Sequence, residues 1–325
     1  MGISRKWLLG LFLLPSLMAD AESPSVPAAV SAAIPMTRQI DFTAKANGRR
    51  YRLQVALPMA APPENGFPVI YVIDGDGYFG TWAAAVRMRA MAGELEQAVV
   101  VGIGYPEAEA DMMAAMKRRM NELVPTLDPM AAKLAPDDGK SPAKAYAGAD
   151  DLLQVIHAEV PALVSSVTRI DTAKSTLFGH SLGGLFAVHA LFQHPEYFRN
   201  YLVLSPSIWW DGRTVLRGQA HYLEQVRAGK VAPRVYIVVG ALEQPGPDEP
   251  LPPGIPPGMS TAEARQLVVS AAMVDNARDL LRNLQVSSAG AGYEVRGRVV
   301  PGDTHSSVAW GALNEMLDFA LAARH

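Results

Sequence analysis

An α/β domain with one mostly parallel, doubly wound sheet, opened by an antiparallel β-hairpin, is the fold class predicted for this 325-residue chain. Three observations predict it. Two alternating stretches, residues 38–46 and 49–57, flank Asn47-Gly48, a dipeptide suited to a type I′ hairpin turn because both central residues need φ > 0. Short apolar runs without alternation follow, as expected of strands buried on both faces. Stretches of helical periodicity separate these runs, so strand and helix alternate as parallel crossover units require.

Taken in order, Arg5 and Lys6 precede an apolar run over residues 7–14, and Ala19-Asp20-Ala21 offers a small-x-small cleavage pattern. Residues 1–21 therefore read as a signal peptide. The run is too short to span a bilayer, so export to the periplasm with no membrane anchor after cleavage is expected. Residues 22–36, rich in Pro, Ala and Ser, read as a disordered linker ahead of one domain over 37–325. After the hairpin, strands are predicted at 68–73, 98–103, 175–178, 201–204, 235–239 and 293–300. Helices are predicted at 82–95, 150–164, 182–193, 218–227, 262–284 and 307–322. Residues 111–148, with four prolines, and the Pro/Gly segment 245–258 read as irregular connections after strand ends. That edge of an open α/β sheet is where ligands bind.

Composition narrows the function. With 29 Lys+Arg against 32 Asp+Glu, a net charge of −3 and no basic stripe, nucleic acid is excluded as a partner. Without cysteine there is no disulfide, lipidation site or thiol nucleophile. No cofactor is implied either. Asp74-Gly75-Asp76-Gly77 opens like a calcium loop, but Ala85 occupies the twelfth position, where a Glu is required, so no metal site is expected. Gly102-Ile103-Gly104 fails as a dinucleotide fingerprint because Glu107 replaces the third Gly.

Gly179-His180-Ser181-Leu182-Gly183 carries the chemistry. A serine hydroxyl needs to be held clear of the surface beside a base before it acts as a nucleophile. A G-x-S-x-G turn between a buried strand and an apolar-periodic helix does that, and it specifies the α/β-hydrolase variant of the fold. Ser181 is thus the candidate nucleophile. In this fold the order is nucleophile, acid, histidine, which excludes His157. His180 reads as structural, His189 and His194 lie along the elbow helix, His221 lies in a helix, and His325 is terminal. His305, between the last predicted strand and helix, is the candidate base. For the acid, Glu243 in the turn after the 235–239 strand is preferred, with Asp303 as the rival and Asp248 and Glu249 more remote. A Ser–His dyad stays open. Backbone N–H groups of Leu182 and Asp76, or of Gly77 instead of Asp76, are the oxyanion-hole candidates.

Several segments together resemble the Putative esterase (esterase D-like) family, and within it the siderophore trilactone esterases acting on enterobactin, salmochelin or bacillibactin. They are Y-V-I-D-G-D-G-Y-F (71–79), R-R-M-N-E-L-V-P (118–125), L-F-G-H-S-L-G-G-L-F (177–186), H-P-E-Y-F (194–198), S-P-S-I-W-W (205–210), V-G-A-L-E (239–243) and G-D-T-H-S-S (302–307). The resemblance implies hydrolysis of a catecholate siderophore's trilactone, alone or as the ferric complex, which lowers iron affinity and releases the metal. A small-molecule substrate of negative charge follows, for which Arg118 and Arg119 (with Lys117) are candidate partners and Trp209 and Trp210 candidate aromatic walls. Val124 stands where the family often has Thr. A general carboxylesterase or acyl-thioesterase with the same machinery is the alternative.

Overall fold

Alternate residues of one strand face two different cores. In β3 (Phe67–Ile73), Val69, Tyr71 and Ile73 pack into one cluster while Ile70 and Val72 pack into the other. Both faces are therefore apolar, which is why that stretch shows no alternation. The computed structural model describes residues 33–128, 146–246, 248–251, 259–285 and 292–323.

The remaining strands are β1 (Thr37–Thr43), β2 (Arg50–Ala56), β4 (Val99–Gly104), β5 (Ile170–His180), β6 (Asn200–Leu204), β7 (Arg234–Gly240) and β8 (Glu294–Val300). They form one sheet in the order β1-β2-β4-β3-β5-β6-β7-β8. β2 is antiparallel to both β1 and β4, and every later pairing is parallel. One face is covered by α3 (Ala149–Ala158), α4 (Val160–Ser165), α5 (Leu182–Gln193), α6 (Gln219–Arg227) and α8 (Met273–Leu284). The opposite face carries α1 (Gly75–Met91), α9 (Val308–Gly311) and α10 (Leu313–Leu321). With its sharp strand–helix elbow after β5, this is the α/β-hydrolase fold that the sequence predicts.

Local chemistry explains where the elements depart from expectation. The first hairpin forms, but its connection spans Ala44 to Arg49, closed by Ala44 N–H to Arg49 O at 2.8 Å and Gly48 N–H to Ala44 O at 2.9 Å. Of the Asn47-Gly48 pair, Gly48 alone takes a positive φ, 69°, so the turn is not type I′. Asn47 instead uses its side chain, accepting from Arg49 N–H and donating to the Tyr51 hydroxyl. The 150–164 helix is two helices, because Pro161 has no N–H to give the carbonyl four residues back. The 262–284 helix breaks at Ala272 (φ 43°, ψ 46°) into α7 (Thr261–Ala271) and α8, and the buried Asn276 side chain donates to the freed Ala271 carbonyl. Within the stretch read as irregular lies α2 (Met112–Glu122), capped by Asp111, whose side chain accepts from Ala114 N–H.

Ile34 to Met36, assigned to the linker by composition, are tied to the domain. Thr37 Oγ1 donates to Ile34 O, Arg87 to Pro35 O, and Leu57 N–H to Met36 O. The signal peptide and the linker up to residue 32 lie outside the described residues, as do 129–145 and 252–258 of the two segments read as irregular connections. Among the described residues no helix is long and apolar enough to cross a membrane.

Candidate active site

Ser181 stands at the junction of β5 and α5 with φ 61° and ψ −117°. Such a backbone is strained for a residue with a Cβ, costs on the order of 1–3 kcal/mol, and persists only where surrounding structure over-determines it. Here two glycines do so by letting chain segments touch. A Cβ on Gly179 would lie 1.9 Å from Gly183 O, and one on Gly184 would lie 2.7 Å from Leu204 O. Gly183, the second glycine of the motif, is less constrained, its would-be Cβ being 3.2 Å from Ile73 Cγ2. The close approach thus depends on Gly184, one position beyond the G-x-S-x-G spacing. Ser181 N–H donates to Leu204 O, and its carbonyl accepts from Leu185 and Ser207 N–H, so the strained residue is held on both sides.

Three predicted residues come together here. Ser181 Oγ and His305 Nε2 are 2.9 Å apart, and His305 Nδ1 is 2.6 Å from Glu243 Oε2. Glu243 follows β7 in the 3-10 turn Ala241–Glu243 and is 5% exposed. Its other oxygen accepts from Ser205 Oγ at 2.5 Å and Gly240 N–H at 2.7 Å. A carboxylate so held has acceptor sites filled from both sides, which offsets the cost of burying its charge. Asp303 faces elsewhere, accepting from Ser307 Oγ, while its carbonyl takes Leu242 N–H and so ties the His305 loop to β7. With Nδ1–H given to Glu243, His305 presents the Nε2 lone pair to the serine proton.

Leu182 is the first residue of α5, and Asp76 the second of α1, so both backbone N–H groups stand in first turns that lack intrahelical partners. The Asp76 carboxylate bonds Tyr105 N–H at 2.9 Å, at the end of β4.

The candidate substrate-binding residues divide. Arg118 bonds Glu122, which is fully buried, and Glu107, and its guanidinium lies over the Tyr51 and Tyr105 rings. Arg119 makes two bonds to the Asp74 carboxylate, at 2.6 and 2.7 Å. Burial opposes the charge of Arg119, and Asp74 outweighs it. Both arginines are therefore committed inside the protein, clamping α2 onto the sheet edge. Trp210 is 4% exposed and donates from Nε1 to Thr126 O, a packing role, whereas Trp209 is half-buried beside it.

Removing Arg119 leaves the Asp74 carboxylate, 12% exposed, without its partner. Arg119→Leu is expected to cost about 3–5 kcal/mol of stability, and Asp74→Asn in the same chain to recover part of it. Thermal melts check this. An unchanged melting temperature with a raised KM would return Arg119 to the substrate.

Sequence reasoning passed over Ser205, which secures Glu243, and Tyr78, which bonds His180; His180, read there as structural, adjoins His305. Trp310, 52% exposed, lies against Tyr78 with ring centroids 6.1 Å apart. The His180 ring is buried, and that burial, reinforced by His305 and Arg119, pushes its pKa well below 6.5. Above pH 6.5 the ring is neutral whether folded or unfolded. Below it the unfolded chain takes up a proton that the folded one refuses, so stability falls with acidification by up to about 1.4 kcal/mol per pH unit from this group. Between pH 7.5 and 5.5 the melting temperature of His180→Gln is therefore expected to fall less than that of the wild type. Equal slopes would contradict this.

The model of the family described as Putative esterase matches residues 44–312. The ferri-bacillibactin esterase BesA of Bacillus subtilis is 29% identical over 291 residues, 89% of this chain and 90% of that protein. A siderophore triacetylfusarinine C esterase of Aspergillus fumigatus is 31% identical over 243 residues, 72% of this chain and 76% of that one. The solved structure of siderophore hydrolase EstB from Aspergillus nidulans superimposes with a TM-score of 0.71 at 29% identity, covering 91% of this chain and 98% of that one.

Proposed function

The chain belongs to the Putative esterase family and is a serine hydrolase acting on ester bonds; from that premise we propose that it hydrolyses the ester ring of a siderophore, of the trilactone catecholate type, to release iron. The hydrogen-bonded run Glu243–His305–Ser181 is the observation that carries the mechanism. His305 Nε2 takes the Ser181 proton as Oγ attacks the ester carbonyl. The tetrahedral oxyanion draws on N–H groups at the starts of α5 and α1. Its collapse breaks the C–O bond, and the imidazolium returns the proton to the leaving alkoxide. Water, activated by the same imidazole, then frees Ser181 and the carboxylic acid.

Relatives named for bacillibactin and triacetylfusarinine C esters support a siderophore as the substrate. Opening the ring separates the iron-binding arms, lowers the effective concentration of each for a metal held by the others, and so weakens the chelate. The half-buried Trp209 and the exposed Trp310 are suited to aromatic ligand groups. Export is part of the proposal and draws on the residue pattern of 1–21.

Product analysis by mass spectrometry with ferric and iron-free bacillibactin, enterobactin and triacetylfusarinine C, alongside p-nitrophenyl butyrate, tests the substrate. Linear products are expected from at least one siderophore, with kcat/KM above that for the aryl ester. Faster turnover of the aryl ester than of every siderophore would overturn the substrate assignment.

A further inference from the structure

Three hydrogen-bonding groups behind the candidate base form a run in which only one arrangement of protons fits. Tyr78 Oη lies 2.7 Å from His180 Nδ1, and His180 Nε2 lies 2.8 Å from the backbone carbonyl of His305. A carbonyl only accepts, so Nε2 carries the proton, Nδ1 presents its lone pair, and the Tyr78 hydroxyl donates to it. The His180 ring is 6% exposed and sits 4.6 Å from the His305 ring, centroid to centroid.

The loop bearing His305 is secured on its β7 side by Leu242 N–H to Asp303 O, and internally by Ser307. On the elbow side, the His180 ring donates to the His305 carbonyl. We infer that His180 and Tyr78 are a positioning pair: the hydroxyl fixes the His180 tautomer, and His180 in turn fixes the peptide unit that carries His305, holding the imidazole over Ser181. This role presupposes the Ser181–His305 chemistry proposed above. It also gives the histidine of Gly179-His180-Ser181 and the tyrosine of Asp76-Gly77-Tyr78 a shared task. The nucleophile's own neighbour in sequence sets the placement of a base that lies 125 residues further on. As a neutral ring, His180 adds no second positive charge beside the imidazolium that forms during turnover.

Four variants test this with ferri-bacillibactin as substrate: His180→Leu, His180→Gln, Tyr78→Phe, and Tyr78→Phe with His180→Leu. Leucine removes the donor, and a displaced base is expected to lower kcat on the order of 30- to 100-fold with KM within about threefold. Glutamine places an amide N–H at the reach of Nε2 and is expected to restore kcat to within roughly tenfold of the wild type. Tyr78→Phe should lower kcat about three- to tenfold alone and have no further effect in the His180→Leu chain, because the two residues act as one unit. Dissociation constants measured in a Ser181→Ala background should stay unchanged across the set.

Wild-type kcat in His180→Leu, equal losses in the leucine and glutamine variants, or a fully additive Tyr78→Phe effect would overturn the inference. A loss confined to KM would do the same. Should His180→Leu fail to fold, His180→Gln and Tyr78→Phe carry the same contrast, since wild-type kcat in Tyr78→Phe alone is enough to refute the pair. Ser181→Ala separates the two levels of the account. Hydrolysis surviving that change breaks the catalytic proposal, whereas an inactive Ser181→Ala beside a fully active His180→Leu breaks only the positioning role.

Discussion

Ser181→Ala is expected to lower kcat by roughly five orders of magnitude while leaving the fold and ligand affinity intact. The size follows from the chemistry: without Oγ no acyl-enzyme forms, and what survives is binding and oxyanion stabilisation of direct attack by water. The fold should tolerate the change because alanine meets the same backbone strain at φ 61° as serine does, and the neighbouring contacts are backbone bonds to Leu204, Leu185 and Ser207. The side chain itself contacts His305. Steady-state rates with a siderophore ester, a binding isotherm and a thermal melt together read the three quantities. Retention of more than a hundredth of wild-type kcat would contradict the assignment of the nucleophile.

Glu243→Gln is expected to cost about 10³–10⁴ in kcat. Glutamine has nearly the same shape, and its oxygen can still accept from Ser205 Oγ and Gly240 N–H. Its amide nitrogen then faces His305 Nδ1, which must accept rather than donate. The ring proton moves to Nε2 and points at Ser181, so the base has no lone pair for the serine proton. Asp303→Asn is the matched control. Its carboxylate accepts from Ser307, and losing about one hydrogen bond should leave kcat within roughly tenfold. If Glu243→Gln proves as mild as Asp303→Asn, Ser181 and His305 work as a dyad. The comparison of kcat for the two variants at saturating substrate decides it.

How far the molecule was legible in its sequence depended on whether each feature is local. The elbow has a local cause, glycines close to a strained serine, and its motif shows in five residues. Chain order then pointed to His305 and to a carboxylate after β7, because parallel strands deliver their C-terminal ends to one edge. α2 was not legible: it buries only Ala115 and Glu122, so no apolar stripe repeats along it. The break at Ala272 carries no Gly or Pro signal, and depends on Asn276 reaching the Ala271 carbonyl.

Arg119 looked like a free cation because its partner is invisible in the local sequence, and Arg118 did because, although Glu122 lies only four residues on, nothing local shows that this carboxylate is buried. Arg119 meets Asp74 from 45 residues away, and Arg118 meets Glu107 and two aromatic rings. The link between Tyr78 and His180 spans 102 residues and exists only once β3 and β5 pair side by side. Residue types and spacing indicate which chemistry is present; tertiary pairing decides which charged groups remain available to a ligand.

Stoichiometric labelling with a fluorophosphonate, followed by peptide mass mapping, tests the central claim most directly, because the reagent bonds to a serine only where a base activates it. One adduct per chain on Ser181 is predicted, with siderophore hydrolysis lost in proportion to labelling and the labelling itself abolished in His305→Ala. An adduct on a different residue, or full labelling of Ser181 with hydrolysis undiminished, would contradict the account.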